Sequence, residues 1–166
     1  MQLLLVHQNF PGQFKHLAPA LVKQGHQVSA LLMAQAPPPP WQGVQQHSYW
    51  PGRGSSPTIH PWVADLETKV IRAQACLEAA RKLAADGFSP DVIVAHPGWG
   101  ESLFLKEVWP QARLAIYCEF HYAAAGADLG FDPEFPGPAP NDEPAPSLNP
   151  SVNGSASFTT ASIPTY

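Results

Sequence analysis

His96, Pro97, Gly98, Trp99, Gly100 and Glu101 follow directly on the apolar run Asp91 to Ala95. An imidazole takes up or releases a proton near neutral pH, an indole offers a broad apolar face, and glycines let backbone approach a ligand closely. Where a buried strand breaks into such a turn and a helix opens after it, free amides join these groups, and α/β proteins build anion sites in this way. The pattern predicts a helix from Glu101 to Trp109, stopped by Pro110, with its first amides beside the turn.

Three other segments carry comparable groups. His7 and Asn9 lie in HQNFPGQ after the N-terminal apolar run. Arg53, Ser55, Ser56 and His60 lie in GRGSSPTIHPW, and Glu119, His121 and Tyr122 end a later run. Each has a plainer reading: His7 as a packed loop histidine, Arg53 as the partner of a surface carboxylate, Trp62 and Trp99 as packing anchors, Gly98 and Gly100 as turn residues. Their convergence on the carboxyl ends of several strands sets a binding role beside those readings, since ligands of open parallel sheets sit there.

Other chemistries find less support. The seven histidines do not occur as HxH, HxxxH or HExxH, and no His and Cys share zinc-ligand spacing, so no metal site is expected. No GxSxG elbow is present, and no GxGxxG fingerprint follows the first strand, where HQNFPGQF stands instead. Cys76 and Cys118 are far apart and fall in an expected helix and strand, as buried thiols rather than a disulfide framework.

The elements that position these groups read as strands alternating with helices. Strands are expected at Gln2 to Val6, Gln27 to Met33, Val44 to Trp50, Val92 to Ala95 and Arg113 to Phe120, the third more polar and nearer an edge. Near-continuous apolar runs of this kind mark a parallel sheet covered on both faces. Trp62 to Asp86 predicts a long helix with Val63, Leu66, Val70, Leu77 and Leu83 on one face, Asp65–Lys69 and Glu78–Lys82 as i,i+4 pairs, and Gly87 as its cap. Pro19 conflicts with a helix starting at Gly12, so the first helix is expected to begin near Lys15 or His16. The prolines Pro37 to Pro40 mark a surface connection.

With 166 residues and 45% apolar side chains, the chain has the material for one core. The expected class is α/β, a Rossmann-like open parallel sheet with helices on both faces, over residues 1–136. Residues 137–166, rich in Pro, Ser, Asn and Ala, read as a low-complexity, disordered tail. The net charge of −4 and 13% charged residues leave no basic stripe for nucleic acid. MQLLLV lacks a basic region and turns polar at His7, too early for a signal peptide, and no run approaches the roughly 20 apolar residues of a membrane span. A cytoplasmic location is expected.

Together HQNFPGQFKHLAPALVKQGHQV, GRGSSPTIHPWVADLETKVIRAQA, GFSPDVIVAHPGWGESLFLKEVWPQARLAIYCEFHY and ADLGFDPEFP resemble the N-terminal domain of bacterial family 4 glycosyltransferases of the GT-B fold, from Met1 to about Pro136. The resemblance implies the acceptor side of a retaining, metal-independent sugar transfer, with a nucleotide-sugar as donor substrate, a glycan or lipid as acceptor, and no further cofactor. It implies that His7 to Gly12 approach the donor phosphates, that His96 and Gly98 to Gly100 face the cleft, and that Glu119 to His121 lie near the transferred sugar. His96, Glu119 and His121 are the catalytic candidates. His7, Asn9, Gly12, Arg53, Ser55, Ser56, His60, Gly98, Trp99 and Gly100 are the binding candidates.

Two departures stand against this. The family's Gly-Gly turn after the first strand is reduced to Gly12 after Pro11, and no donor-side carboxylate pair follows Pro136. The chain is therefore expected to be inactive alone, as a truncated or split enzyme needing a separate donor-domain polypeptide. The alternatives are a stand-alone module binding sugar, nucleotide or phosphate, and a non-catalytic interaction protein.

Overall fold

A computed structural model describes residues 1–118. Glu119, His121, the Pro136 boundary and the expected tail lie outside the described residues. Five strands, β1 (Gln2–Val6), β2 (Gln27–Met33), β3 (Gln45–Tyr49), β4 (Val92–Ala95) and β5 (Arg113–Ile116), form one sheet in the order β3-β2-β1-β4-β5. Every neighbouring pair is parallel, as expected of a Rossmann-like sheet. The polar β3 is an edge strand.

Alternation divides the core between the two faces. Leu4, Val6, Leu31, Ile93 and Ala95 pack with Cys76, Ala80, Leu105 and Trp109 on one side. Leu3, Leu5, Val28, Ala30 and Leu32 pack with Phe14 and Ala18 on the other. Because β1 lies in the middle of the sheet and is covered on both sides, its sequence QLLLV shows no polar alternation.

A 3₁₀ turn (Gly12–Lys15) leads into α1 (Leu17–Lys23). Pro19 is thus in the first helical turn, where a missing amide hydrogen costs nothing, as the late start requires. The long helix α2 (Pro61–Ala85) ends with Gly87 N–H donating to Ala84 O (3.0 Å) and Phe88 N–H to Leu83 O (2.9 Å). This is the hydrogen-bond pair of a Schellman cap, in agreement with the expected Gly87 stop.

Three expectations are corrected. The buried residues of α2 are Lys69, Ile71, Ala73, Cys76 and Ala80, and Leu83 packs against the core as expected, while Val63 and Val70 are exposed; the small Ala73, Cys76 and Ala80 at the i, i+3, i+7 positions let the helix lie close on the sheet. Lys69 pairs with Asp65 at 2.8 Å as expected, but Glu78 and Lys82 form no ion pair among the described residues. Finally, β5 ends at Ile116, where β4, its neighbour among the described residues, ends in register at Ala95. Cys118 therefore lies beyond the strand and is exposed, whereas Cys76 is buried as expected.

Candidate functional site

The sheet order places the topological switch between β1 and β4, since the chain leaves β1 toward β2 and β3 and returns to β4 on the other side. Register then determines what meets there. Val6 pairs with Ala95, so the next residues of the two strands, His7 and His96, emerge side by side. His96 N–H donates to Val6 O at 2.9 Å, and His7 N–H to Leu31 O at 3.2 Å. Both side chains continue the alternation of Leu3 and Leu5 and of Val92 and Val94, which puts them on the α1 side of the sheet. Their ring centroids lie 4.9 Å apart, close to the spacing of adjacent strands.

The hydrogen bonds of His7 fix its tautomer. Asn9 N–H donates to His7 Nδ1 at 3.0 Å, so that nitrogen carries a lone pair, and the proton of the neutral ring is on Nε2, which donates to Gln13 Oε1 at 2.5 Å. Phe14, fully buried, supports the ring edge-on at 5.9 Å. Gly12 (φ 43°) lies so close that a Cβ there would fall within the imidazole. The glycine the resemblance assigns to a phosphate is therefore required by its contact with His7, and Asn9 contributes its backbone amide.

The turn after β4 supplies the third ring. Trp99 stacks on His96 with centroids 4.6 Å apart and planes 21° from parallel, and meets His7 edge-on at 5.4 Å. Gly98 (φ 104°) and Gly100 (φ 101°) carry the reversals that bring the indole back over the strand end. Gly100 also presses on α2, where a Cβ would collide with the carbonyl of Lys69.

The helix expected from Glu101 is a correction. Residues 101–104 are turns, and α3 is the single turn Leu105–Val108. A helix cannot begin within a turn whose glycines sit at positive φ, and its first amides are used locally, Leu103 N–H donating to Gly100 O at 3.0 Å. No helix start therefore lies directly beside His96.

Glu101 is instead turned inward and is the site residue that sequence reasoning missed. It is 2% exposed and accepts a hydrogen bond from Tyr49 Oη at 2.5 Å. Burial raises its pKa above the ordinary carboxyl value, opposed by the Tyr49 hydrogen bond, its own backbone amide, Arg72 and His96. Burial and the neighbouring Glu101 likewise raise the Tyr49 phenol and the Cys76 thiol. In the sequence an acid at this position reads as a first-turn helix residue, and nothing marks Tyr49, 52 positions away, as its partner.

The remaining candidates serve α2. Arg53, 62% exposed, pairs with Glu67 at 3.3 Å. Ser56 N–H donates to the other Glu67 oxygen at 2.8 Å, and Ser55 Oγ bonds Ala64 O at 3.1 Å and the Thr68 hydroxyl. His60 caps the helix, Nδ1 accepting from Trp62 N–H at 3.3 Å ahead of Pro61. Their contacts tie the loop to the helix.

The rim thus unites His7, Gly12, His96, Gly98, Trp99 and Gly100, with Asn9 held to it through its amide. Both imidazoles are buried and Trp99 is half-buried, so two nitrogen-bearing rings form a floor and an indole forms a wall. Both nitrogens of His7 are engaged within the protein, by Asn9 and Gln13, so what the set presents to a ligand is chiefly a ring surface that can pack on carbon-bound hydrogens. Among the described residues no group of three His, Cys, Asp or Glu is placed to hold a metal ion, and no helix is long and apolar enough to cross a membrane. A depression of about 560 Å³ bordered by Met1, Ser89, Asp91, Trp109 and Arg113 lies at the opposite, amino ends of β1, β4 and β5, away from this chemistry.

A comparison with curated proteins finds no match to this chain. The family comparison does: residues 24–159 match the glycosyl transferase family 4 group, a span that contains β2 to β5, α2 and the His96 turn and continues past Pro136. A match over most of the length, on a five-stranded parallel sheet with imidazoles at its switch point, shows that the chain belongs to the glycosyl transferase family 4 group.

Proposed function

We propose that this domain is the acceptor-side wall of a glycosyltransferase that moves a sugar, with retention of configuration, from a nucleotide-sugar to a glycan or lipid acceptor. The observation that carries the reading is the His7–His96–Trp99 cluster at the carboxyl ends of β1 and β4, where open parallel sheets bind ligands. The aromatic faces suit the carbon-bound hydrogens of a sugar, and His96 is the candidate for handling the proton that the attacking hydroxyl gives up. Family membership supports sugar and acceptor as the substrate classes.

The rest of the proposal concerns what these residues need from elsewhere. Transfer also requires a donor-binding half, supplied by a further polypeptide segment or a separate chain, because among the described residues the rim shows no clamp for a nucleotide diphosphate. No metal or additional cofactor takes part, and the reaction occurs on the cytoplasmic side. Glu119 and His121, the other catalytic candidates, follow β5 in the sequence.

Calorimetric titration of the chain with a panel of glycans and nucleotide sugars tests the wall. Binding of a glycan that His96→Ala removes is the expected result; no binding of any glycan would remove the reading. Incubation with donors and acceptors tests the division of labour. Sustained turnover by the 166 residues alone would overturn the need for a second half.

A further inference from the structure

Glu101 is more deeply buried than either imidazole, at 2% exposure against 3% for His7 and 8% for His96. Nothing in the proposed transfer uses it directly. Besides its own backbone amide, the hydrogen-bond partner of its side chain among the described residues is Tyr49, at the carboxyl end of β3. In the order β3-β2-β1-β4 two strands intervene between the elements that carry the pair. The bond therefore crosses beneath the carboxyl ends of β2 and β1, on the α2 side, while the rings of the rim lie on the α1 side.

We propose that Glu101 is the positioning residue of the rim: by accepting the Tyr49 hydroxyl from across the sheet, its carboxyl group holds the turn at the depth where Trp99 stacks on His96. Two anchors bracket that depth. On one side of Trp99, His96 N–H is bonded to Val6 O at 2.9 Å; on the other, Gly100 rests on the Lys69 carbonyl and Glu101 is tied to β3. Trp99 has no free backbone length in which to drift. A buried carboxyl group is a costly way to fill a core position, and a turn whose placement matters accounts for its presence. The charged and titratable groups around it are Tyr49 on β3, Arg72 and Cys76 on α2, and His96. The tether acts through hydrogen-bond acceptance and shape, so an amide serves as well as a carboxyl group.

The consequence for acceptor binding rests on the acceptor-wall reading; the tether itself is read without a ligand. The test uses the full chain labelled with carbon-13 histidine, the His96 ring protons being assigned by comparison with His96→Gln. Stacking on Trp99 shifts these protons upfield in the wild type. Glu101→Ala and Tyr49→Phe are expected to lose most of that shift while the resonances of histidines remote from the rim, such as His26, stay in place. Glu101→Gln, whose amide oxygen still accepts from Tyr49, is expected to retain it.

Folded Glu101→Ala with unmoved His96 protons would overturn the proposal. If that variant does not fold, unmoved protons in Tyr49→Phe have the same force. Glu101→Gln behaving as Glu101→Ala would also overturn it, by assigning the effect to charge. A chain that shows the expected shifts and binds no glycan keeps the tether and loses only the acceptor-wall reading.

Discussion

Replacing each glycine of the turn by alanine separates backbone conformation from packing. Gly98 and Gly100 have nearly the same φ, 104° and 101°, so a Cβ meets a comparable conformational penalty at both, roughly 1–3 kcal/mol. Their surroundings differ. A Cβ on Gly98 has nothing within 4 Å, whereas one on Gly100 lies 2.8 Å from the Lys69 carbonyl carbon and 2.9 Å from its Cα. Lys69 is inside α2, so its carbonyl belongs to the helical ladder and does not swing aside. The turn must lift instead. Overpacking of this kind adds roughly 1–3 kcal/mol, so Gly100→Ala should be less stable than Gly98→Ala by about 2 kcal/mol, equivalent to roughly 4–8 °C in Tm for a chain of this size. Urea denaturation of both variants at pH 7 measures the difference directly. Equal stability of the two, or greater stability of Gly100→Ala, would show that the turn does not rest on α2.

Glu101 gives a pH prediction whose sign follows from its raised pKa. Between the ordinary value of 4.5 and the folded value the native state holds a proton that the unfolded chain has released, so the contribution of this group is complete below pH 4.5 and is lost as the pH rises through the folded pKa. Glu101→Gln, neutral throughout, should therefore gain stability relative to wild type as urea titrations move upward through that window; a gap that stays constant or narrows contradicts the assignment. Phe14→Ala removes a fully buried ring that supports His7 and should cost about 3–5 kcal/mol in denaturant unfolding, a loss below about 1 kcal/mol being incompatible with that core. Arg53→Ala should lower stability by less than about 1 kcal/mol, and by less still in high salt, and it should leave glycan binding at the His96 rim unchanged. Weakened binding in that variant would restore Arg53 to the site.

Local chemistry made much of the scaffold legible. The bounds of β1, β2 and β4 could be read residue for residue, because strands buried on both faces are uninterrupted apolar runs between polar breaks. Pro19 set the late start of α1 and Gly87 the end of α2 for equally local reasons. The α2 face was legible in part: Leu83 packs on the core as its spacing suggests, but close packing on the sheet also selects the small residues Ala73, Cys76 and Ala80, which an apolar pattern of large side chains passes over.

The composition of the site divides along the same line. That His7 and His96 each follow a buried strand is a property of the sequence alone, and it was enough to mark both as candidates. That they touch is a property of the sheet, since only the β1–β4 register brings positions 7 and 96 to neighbouring strand ends. Tertiary contacts likewise drew Arg53, Ser55, Ser56 and His60 onto α2 and turned Glu101 from an apparent helix-start acid into a buried partner of Tyr49. A sequence records which groups are available and where its strands break; which of them meet is decided by strand order and register, interactions between residues too distant along the chain to leave a local pattern.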